Sequence, residues 1–535
     1  MTVLSNDNPT LIANLRQLSE ANPSLANFIR LYGSAEGLGL ERAEDGSPVL
    51  IVDGLSQDSR KNPLADAQKL LASALGPKAA PTGIWLFGLG SPATLSEAAR
   101  VLPAVSVYEP DPRVIWAALC ARDFSQEFKT RKITLYCPFD KAEGGLTPHP
   151  APLIAHQSSK RRALAAWVGL TGLLGREPTA GVRLLIVPPF YGGSEPMGGF
   201  LLRAANKLGL TAKLHGWSDL LSRRAADLRN DPTAGAGDLM GASAREVAGA
   251  AKEFAPTLIL NLAQAPLDAQ GLALLRREAK GALLAFWFVE DFFRFKYVSQ
   301  VAPAYDLFFH IQDRRLGDAP RLWGLSQCWY LPAAADEEVF KPSECPERFR
   351  ATLSFSGAGY PNRRAILADL ALNGWPKTGR PASEFKIFGS GWEGCPPSLK
   401  PHLFEGGRRI STEECARVYN GGQISLNIHS GDGTGFDRPS AFVNPRTFEL
   451  ACCGAAQIVD DRDLLADLFE PGELETVPEP KLLPEAIDKH LANPELGQAM
   501  GQKARRTVLS RHLYLHRLQY ILERSGLSEK PPTGT

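Results

Sequence analysis

Hydrophobic and polar positions change their spacing several times along this chain. Residues 1 to about 80 combine a helical period (Leu11, Leu15, Leu18) with a short apolar run, Pro48–Val52, that predicts a strand. From residue 83 the text becomes apolar run, glycine turn and helix: GIWLFGLG, SPATLSEAARVL, AVSVYEP, PRVIWAALCARDF, KITLYCP. Strands alternating with helices of this length predict parallel βαβ units. Residues 138–160 are rich in Pro, Gly and His and read as a linker or irregular arm, with a helix expected at about 160–175. A second βα series opens at VRLLIVPP (182), turns through FYGGSEP and enters the helix MGGFLLRAANKLG; TLILNLA, GALLAFWFVED, YDLFFHI and CWYLP continue it. After a linker at 342–346 a third series runs through ATLSFSGAG, KIFGSGW, ISLNIHS and AAQIVDD. The last 60 residues are helical, with apolar positions at Leu509, Leu513, Leu518 and Ile521, and end in a frayed tail. The fold class predicted is α/β, with three βα modules in series.

Composition narrows the partners. A chain of 535 residues suggests three or four domains, and 44% hydrophobic with 22% charged residues excludes wholesale disorder. The 59 basic against 58 acidic residues leave a net charge of +1, so no global field draws in nucleic acid or an anionic membrane. Any anionic ligand must be held by a local cluster. The eight cysteines show no C-x-x-C spacing, which fits buried thiols in a reducing compartment better than disulfides or a structural zinc site. The N-terminus lacks a secretory pattern, and the most apolar segment, 281–289, is far short of a membrane span, so a soluble cytoplasmic protein is expected.

Five constellations carry candidate chemistry. Gly88 and Gly90 follow the strand IWLF, and Glu109 closes the next strand. This is the spacing at which glycines admit a nucleotide and a carboxylate holds a ribose, although Ser91-Pro92 replaces a third glycine; a βα turn without ligand is the alternative. Gly192, Gly193 and Ser194 precede a helix, where Ser194 can cap the helix and the exposed amides can meet an anion or a sugar hydroxyl. Glu290 and Asp291 end an apolar strand, placed to act as a general base or to bind acceptor hydroxyls, or else to form a solvated turn. Asn427 and His429 end another strand, followed by a Gly-rich loop and then Asn444-Pro-Arg446-Thr-Phe-Glu449 opening a helix. Arg446 can fork onto a diphosphate and Glu449, one turn on, shares its face; a surface ion pair between the two is the plain alternative. Arg363 and Arg364, after the SGAG turn, can add positive charge. The fifth, Arg511 to Arg517, is crowded with basic and aromatic groups and reads as a helix packed across a domain junction rather than a nucleic-acid face.

From FSGAGYPNRR through IFGSGW, ISLNIHS, NPRTFELACCGAAQIVDD and DLFEPGE to VLSRHLYLHRLQYIL, residues 351–523 resemble the CgeB-like (spore maturation) glycosyltransferase family. Residues 182–342 resemble the partner half found with it, through FYGGSEP, WFVEDFFR, YDLFFHIQD and YLPAAADEEVF. The resemblance implies a GT-B fold: two facing Rossmann-like domains, preceded here by an additional Rossmann-like module. The expected organisation is an accessory domain at 1–160, an acceptor-side domain at 180–342, a nucleotide-sugar domain with C-terminal helices at 347–525, and a tail at 526–535. It also implies transfer of a sugar from a nucleotide-sugar donor to a hydroxyl of a glycan, lipid or protein, in bacterial surface or spore polysaccharide or glycoprotein synthesis, with no metal and no further cofactor.

Carried over by position, Glu449 would hold ribose hydroxyls or the sugar, and Arg446 and Arg363 the diphosphate. Gly357, Gly389, Gly391, Asn427 and Asn444 would complete the donor side. Glu290, Asp291 and His429 would be catalytic, with Gly192, Gly193 and Ser194 on the acceptor side and Gly88, Gly90 and Glu109 serving any accessory ligand. Retaining relatives carry a second glutamate where this chain has Ala441, which leaves the stereochemical outcome open. Two alternatives stand beside this reading: an S-adenosylmethionine-dependent methyltransferase in the first module, and a GT-B scaffold without turnover.

Overall fold

Four sheets form among the residues that the computed structural model describes, namely 4–33, 35, 37–75, 82–89, 92–137, 152–155, 181–230, 239–292, 294–312, 325, 327–375, 382–436 and 442–527. The expected helix at 160–175, Gly90, Ala441 and nearly all of the expected tail lie outside them.

The first module holds a three-stranded antiparallel sheet, β1 (Leu38–Arg42), β2 (Pro48–Val52) and β3 (Leu55–Ser56). Beside it stands a parallel sheet of β4 (Ile84–Phe87), β5 (Val105–Tyr108), β6 (Ile133–Tyr136) and β7 (Leu153–Ala155), in the order β6-β5-β4-β7. The strand β7 corrects the expectation of an irregular arm at 138–160, because Leu153–Ala155 pairs along β4 and completes the sheet edge. This module closes its own core around Trp116, Leu119 and Phe124. The fully buried Asn14 ties the N-terminal helix Pro9–Ala21 to it, donating to the carbonyls of Leu119 and Arg122.

The second sheet pair follows from continuous apolar runs. Every residue of β10 (Leu258–Leu262) and β11 (Leu283–Phe288) is buried, as a parallel sheet covered on both faces requires. With β8 (Arg183–Val187), β9 (Thr211–Leu214), β12 (Leu307–His310) and β13 (Cys328–Tyr330) they form an all-parallel sheet ordered β13-β12-β11-β10-β8-β9. The third series gives β14 (Ala351–Ser356), β15 (Phe385–Phe388), β16 (Gly422–Asn427), β17 (Gln457–Asp460) and β18 (Glu475–Val477), also parallel, in the order β15-β14-β16-β17-β18. In both sheets the first strand sits between the second and the third. The chain therefore reverses direction across the sheet beside β8 and again beside β14, and such reversal points open a crevice at the carboxyl edge.

The two sheets face one another in the GT-B manner and share one apolar core. Phe200, Trp287 and Phe340 from the first pack with Phe448 and Tyr514 from the second. Tyr514 lies 5.2 Å from Phe200 and 6.0 Å from Trp287, ring centre to ring centre. The last helix, Tyr514–Ser525, crosses back onto the helix Met197–Lys207. The basic-aromatic cluster is therefore a junction: the buried Arg517 donates to the carbonyls of Pro332 (2.8 Å) and Ala333 (2.9 Å), and His512 Nε2 donates to Leu468 O (2.9 Å). Each fully enclosed apolar side chain of the shared core, such as Phe340 or Phe448, contributes about 1.5–3 kcal/mol.

Candidate active site

A cavity of about 470 Å³ lies between the two sheets, walled by the loops after β8 and β11 on one side and after β14, β15 and β16 on the other. Of the residues expected from the sequence, Gly192, Gly193, Ser194, Glu290, Asp291, Gly357, Arg363, Gly389, Asn444, Arg446 and Glu449 line it. Their elements are far apart in the chain. What gathers them is that each follows a parallel strand at its carboxyl edge, next to a reversal point.

On the C-terminal wall two guanidinium groups converge on Gly357. A Cβ at that position would lie 2.4 Å from Arg446 Nη2 and 3.2 Å from Arg363 Nη1, so only glycine leaves room for both. Gly389 is held at φ +111°, and a Cβ there would meet the Gly357 carbonyl at 2.6 Å. Arg363 is buried, donating from Nε to Ile428 O (2.9 Å) and from Nη1 to Ala358 O (3.0 Å). Arg446 donates to Asn427 Oδ1 (3.3 Å) and stacks on Phe355, as Arg363 does. Neither guanidinium has a carboxylate within ion-pairing distance among the described residues. Burial, and then the like charge of Arg446, pushes Arg363 well below its ordinary value. Two neighbouring cations with no ion-paired carboxylate among the described residues can hold an anion.

Arg364, expected beside them, does something else. It donates to the carbonyls of Gly359 and Gly391, pinning the two glycine turns together. Gly391 belongs to that clasp and does not line the cavity.

The helix Pro445–Cys453 presents its N-terminus to the same wall. Asn444 caps it, accepting from the Thr447 amide (3.1 Å), and Pro445 suits its first position. Its positive end adds to the cations. Glu449, one turn in, forms no ion pair with Arg446. Its Oε2 accepts from the Tyr419 hydroxyl at 3.0 Å, and burial pushes its carboxyl up to about 7 against the pull of Tyr419 and Arg446.

Asn427 and His429 lie behind this wall. The Asn427 amide donates to Thr447 Oγ1 (2.8 Å) and Gln457 Oε1 (3.2 Å), while its oxygen takes Asn444 and Arg446. His429 is completely enclosed, with Nδ1 against Asp460 Oδ1 (2.7 Å) and Nε2 accepting from the Asn444 amide (3.0 Å). This corrects its expected catalytic place: both ring nitrogens are occupied and neither reaches the cavity. Burial pushes it down to about 4, Arg462 adding to the fall and Asp460 opposing it. Against the push of burial, His429 and Arg462 hold Asp460 below the usual carboxylate range.

The opposite wall carries Glu290 and Asp291. Ser194 was expected to cap the helix after it; the helix instead begins without a side-chain cap, and the Ser194 hydroxyl donates to Glu290 Oε1 at 3.0 Å. Burial raises the Glu290 carboxyl, opposed by Ser194, Gln264 and Arg294. Asp291 Oδ1 accepts from Gln312 (3.2 Å). Among the contacts that cross the cleft, Arg294 donates to Asp432 (2.8 Å) and lies over the Tyr360 ring, and Arg409 donates to the Gly192 carbonyl (3.3 Å).

The first module behaves differently. Glu109 is fully buried, and its two oxygens accept from backbone amides of two neighbouring turns, Leu89 after β4 (2.8 Å) and Asp111 in its own turn (3.0 Å). Its expected ribose contact is thereby corrected: the carboxylate closes a βα turn, next to Gly88 at φ +85°.

Tyr419, Arg409 and Asp460 were not singled out from the sequence, and Arg294 stood only at the end of the Glu290 motif. Asp460 was within reach, since it closes the apolar part of the run AAQIVDD. Tyr419 had no signal, as it reaches Glu449 from a helix 30 residues earlier.

A family model described as glycosyl transferase-like matches residues 363–523, a span that opens on Arg363 and contains Arg446 and Glu449. No curated protein sequence matches the chain. Among solved structures, the chain is similar to Anabaena Alr3699/HepE in complex with UDP-glucose, with 11% identity, 65% of this chain and 100% of that one covered, and a TM-score of 0.45. A sucrose-phosphate synthase from Thermosynechococcus elongatus matches at 12% identity over 84% of this chain and 99% of that one, with a TM-score of 0.37. The T4 phage BGT in complex with UDP-glucose matches at 9% identity over 64% of this chain and 97% of that one, with a TM-score of 0.35.

Proposed function

We propose that this chain is a glycosyltransferase that moves a sugar from a nucleotide-sugar donor to an acceptor hydroxyl. The observation that carries the reading is the pair of guanidinium groups, Arg363 and Arg446, which converge on Gly357 inside an interdomain cavity with no ion-paired carboxylate among the described residues. A departing nucleoside diphosphate needs its developing charge neutralised, and preorganised cations beside a helix N-terminus do so. The glycosyl transferase-like match over 363–523 supports the same assignment. In this reading Glu449 accepts from the ribose or sugar hydroxyls, residues 347–525 form the donor domain, and 180–342 the acceptor-side domain. Residues 1–160 form an accessory domain.

The cations make a metal unnecessary in this reading, so turnover should persist in EDTA. The resemblance of the 351–523 blocks supports a CgeB-like assignment and an acceptor among bacterial glycans, lipids or proteins. Calorimetry with nucleoside diphosphates tests the donor site. Micromolar binding by the wild type that weakens at least about tenfold in Glu449→Ala and Arg446→Ala is expected. Absence of binding, or indifference to both substitutions, sinks the assignment.

A further inference from the structure

Behind the wall that carries Arg446 and Glu449 lies a second cavity, of about 380 Å³, at the opposite edge of the same sheet. Gly422, which opens β16, and Ala455 and Ala456, which precede β17, line it. The helices Thr412–Gly421 and Pro445–Cys453 separate the two cavities. Thr412 and Arg446, at their amino ends, line the first; Asn420 and Cys453, at their carboxyl ends, line the second. We propose that this second cavity is a binding site for a neutral, hydroxyl-rich molecule of the size of a small saccharide. The site lies outside the glycosyltransferase reading above, and its test does not need a nucleotide to bind.

The ligand class follows from three observations. The first is the charge of the walls. Among the described residues no Lys, Arg, Asp or Glu lines the cavity, so neither an anion nor an amine would find a counter-charge to offset its lost hydration. Gln423 and Gln498 line it with amides that both donate and accept, while Ile424, Leu491 and Pro494 add the apolar surface that suits the faces of a sugar ring. A volume of this order is ordinary for a small-molecule site.

The second is the direction of the two helices. Each turns its positive end toward the cavity of Arg363 and Arg446 and its negative end toward this one. The same pair of dipoles therefore favours an anion on one side and hydrogen-bond donors on the other.

The third is His490, which lines the cavity and is only 3% exposed. Its Nε2 lies 3.1 Å from Glu475 Oε2, a carboxylate that also takes Lys489. With Nε2–H donated there, Nδ1 is an acceptor, and it has no hydrogen-bond partner. It faces Gly497, another lining residue: a Cβ on that glycine would stand 3.5 Å from Nδ1. A buried acceptor left unmet calls for a donor, and a ligand hydroxyl supplies one without bringing a charge.

Saturation-transfer difference NMR and calorimetry on the full chain test the site, with glucose, N-acetylglucosamine and maltose as probes. At least one should bind with a Kd of about 1 mM or tighter, and glucuronate, glucose 6-phosphate and spermidine about tenfold more weakly or worse. Gln498→Trp fills the cavity from an exposed position, and Gln423→Trp, also exposed, does so if the first disturbs the fold. Each should weaken the saccharide about tenfold or more, while Arg446→Ala leaves it within about twofold. Absence of binding by all three saccharides, preference for a charged probe, or binding that resists both tryptophan variants overturns the proposal. Loss of binding in Arg446→Ala puts the sugar in the interdomain cavity and overturns it too. None of these outcomes touches the donor-site reading, which is judged on nucleotide binding.

Discussion

The Tyr419 hydroxyl donates to Glu449 Oε2 at 3.0 Å, and this bond joins two helices on one wall of the cleft. Burial raises the Glu449 carboxyl to about 7, whereas in the unfolded chain it titrates near 4.5. A raised acid stabilises the fold fully below its unfolded value and loses that contribution as pH rises through the folded one. Glu449→Gln should therefore raise the melting temperature at pH 8 and change little at pH 4.5. The gain is on the order of 1–2 kcal/mol, because solvent screening at this half-buried group reduces the full effect. Differential scanning fluorimetry at the two pH values checks it.

Tyr419→Phe removes a bond that favours the ionised form of Glu449. The midpoint of any pH-dependent nucleotide binding should then move upward from about 7, with binding still tightest on the alkaline side. Calorimetric titrations between pH 5.5 and 8.5 read this directly.

Gly357→Ala and Gly389→Ala separate function from fold. The first places a methyl 2.4 Å from Arg446 Nη2, the far end of a movable side chain. Melting should fall somewhat, since the backbone stands at φ +159° and Arg363 Nη1 lies 3.2 Å away, while nucleoside diphosphate binding weakens about tenfold or more. The second places its methyl 2.6 Å from the Gly357 backbone carbonyl at φ +111° and should cost about 1–3 kcal/mol of stability.

Asp460 takes the His429 amide, the His429 ring and Arg462, all buried. Asp460→Ala removes the buried carboxylate that pairs with Arg462 and His429 and should cost about 3–5 kcal/mol. His429 is lowered to about 4 from an ordinary 6.5, so its contribution is present above about 6.5 and lost as pH falls toward 4. Asp460, also lowered, has the same sign. Wild-type stability should fall between pH 7 and pH 4.5 more steeply than in His429→Asn, as thermal melts across that interval would show.

Glu109→Gln replaces an acceptor of two backbone amides by a group with one acceptor oxygen. It should cost about 1–3 kcal/mol in the first module. S-adenosylmethionine should leave the wild-type melting temperature unmoved, because the carboxylate that would meet its ribose is already engaged.

Where the chain repeats strand, turn and helix, the sequence was legible. Runs such as LILNL and LLAFWF could only be strands covered on both faces, and glycines at 357 and 389 marked the places where the backbone turns against a ligand wall. The short β7 was hidden because its pairing partner, β4, lies about 70 residues earlier and composition alone pointed to a loop. Side-chain destinations were less legible. Ser194, Glu109 and His429 each stand in sequence positions that suit a ligand, yet a serine at a helix start does not say whether its hydroxyl turns to the helix or to Glu290. A carboxylate at a strand end likewise does not say whether backbone amides already fill it. Those choices depend on long-range packing, as does the reach of Tyr419 to Glu449.

The paired crossing between the two halves sets how they can move. Ala335 donates to His512 O (3.1 Å) and accepts from the Tyr514 amide (3.2 Å), so the outgoing and returning segments are laced together side by side. Any opening of the cleft would have to break the contacts of Arg294 with Asp432 and of Arg409 with the Gly192 carbonyl, while this paired crossing and the core shared by the two halves keep them joined.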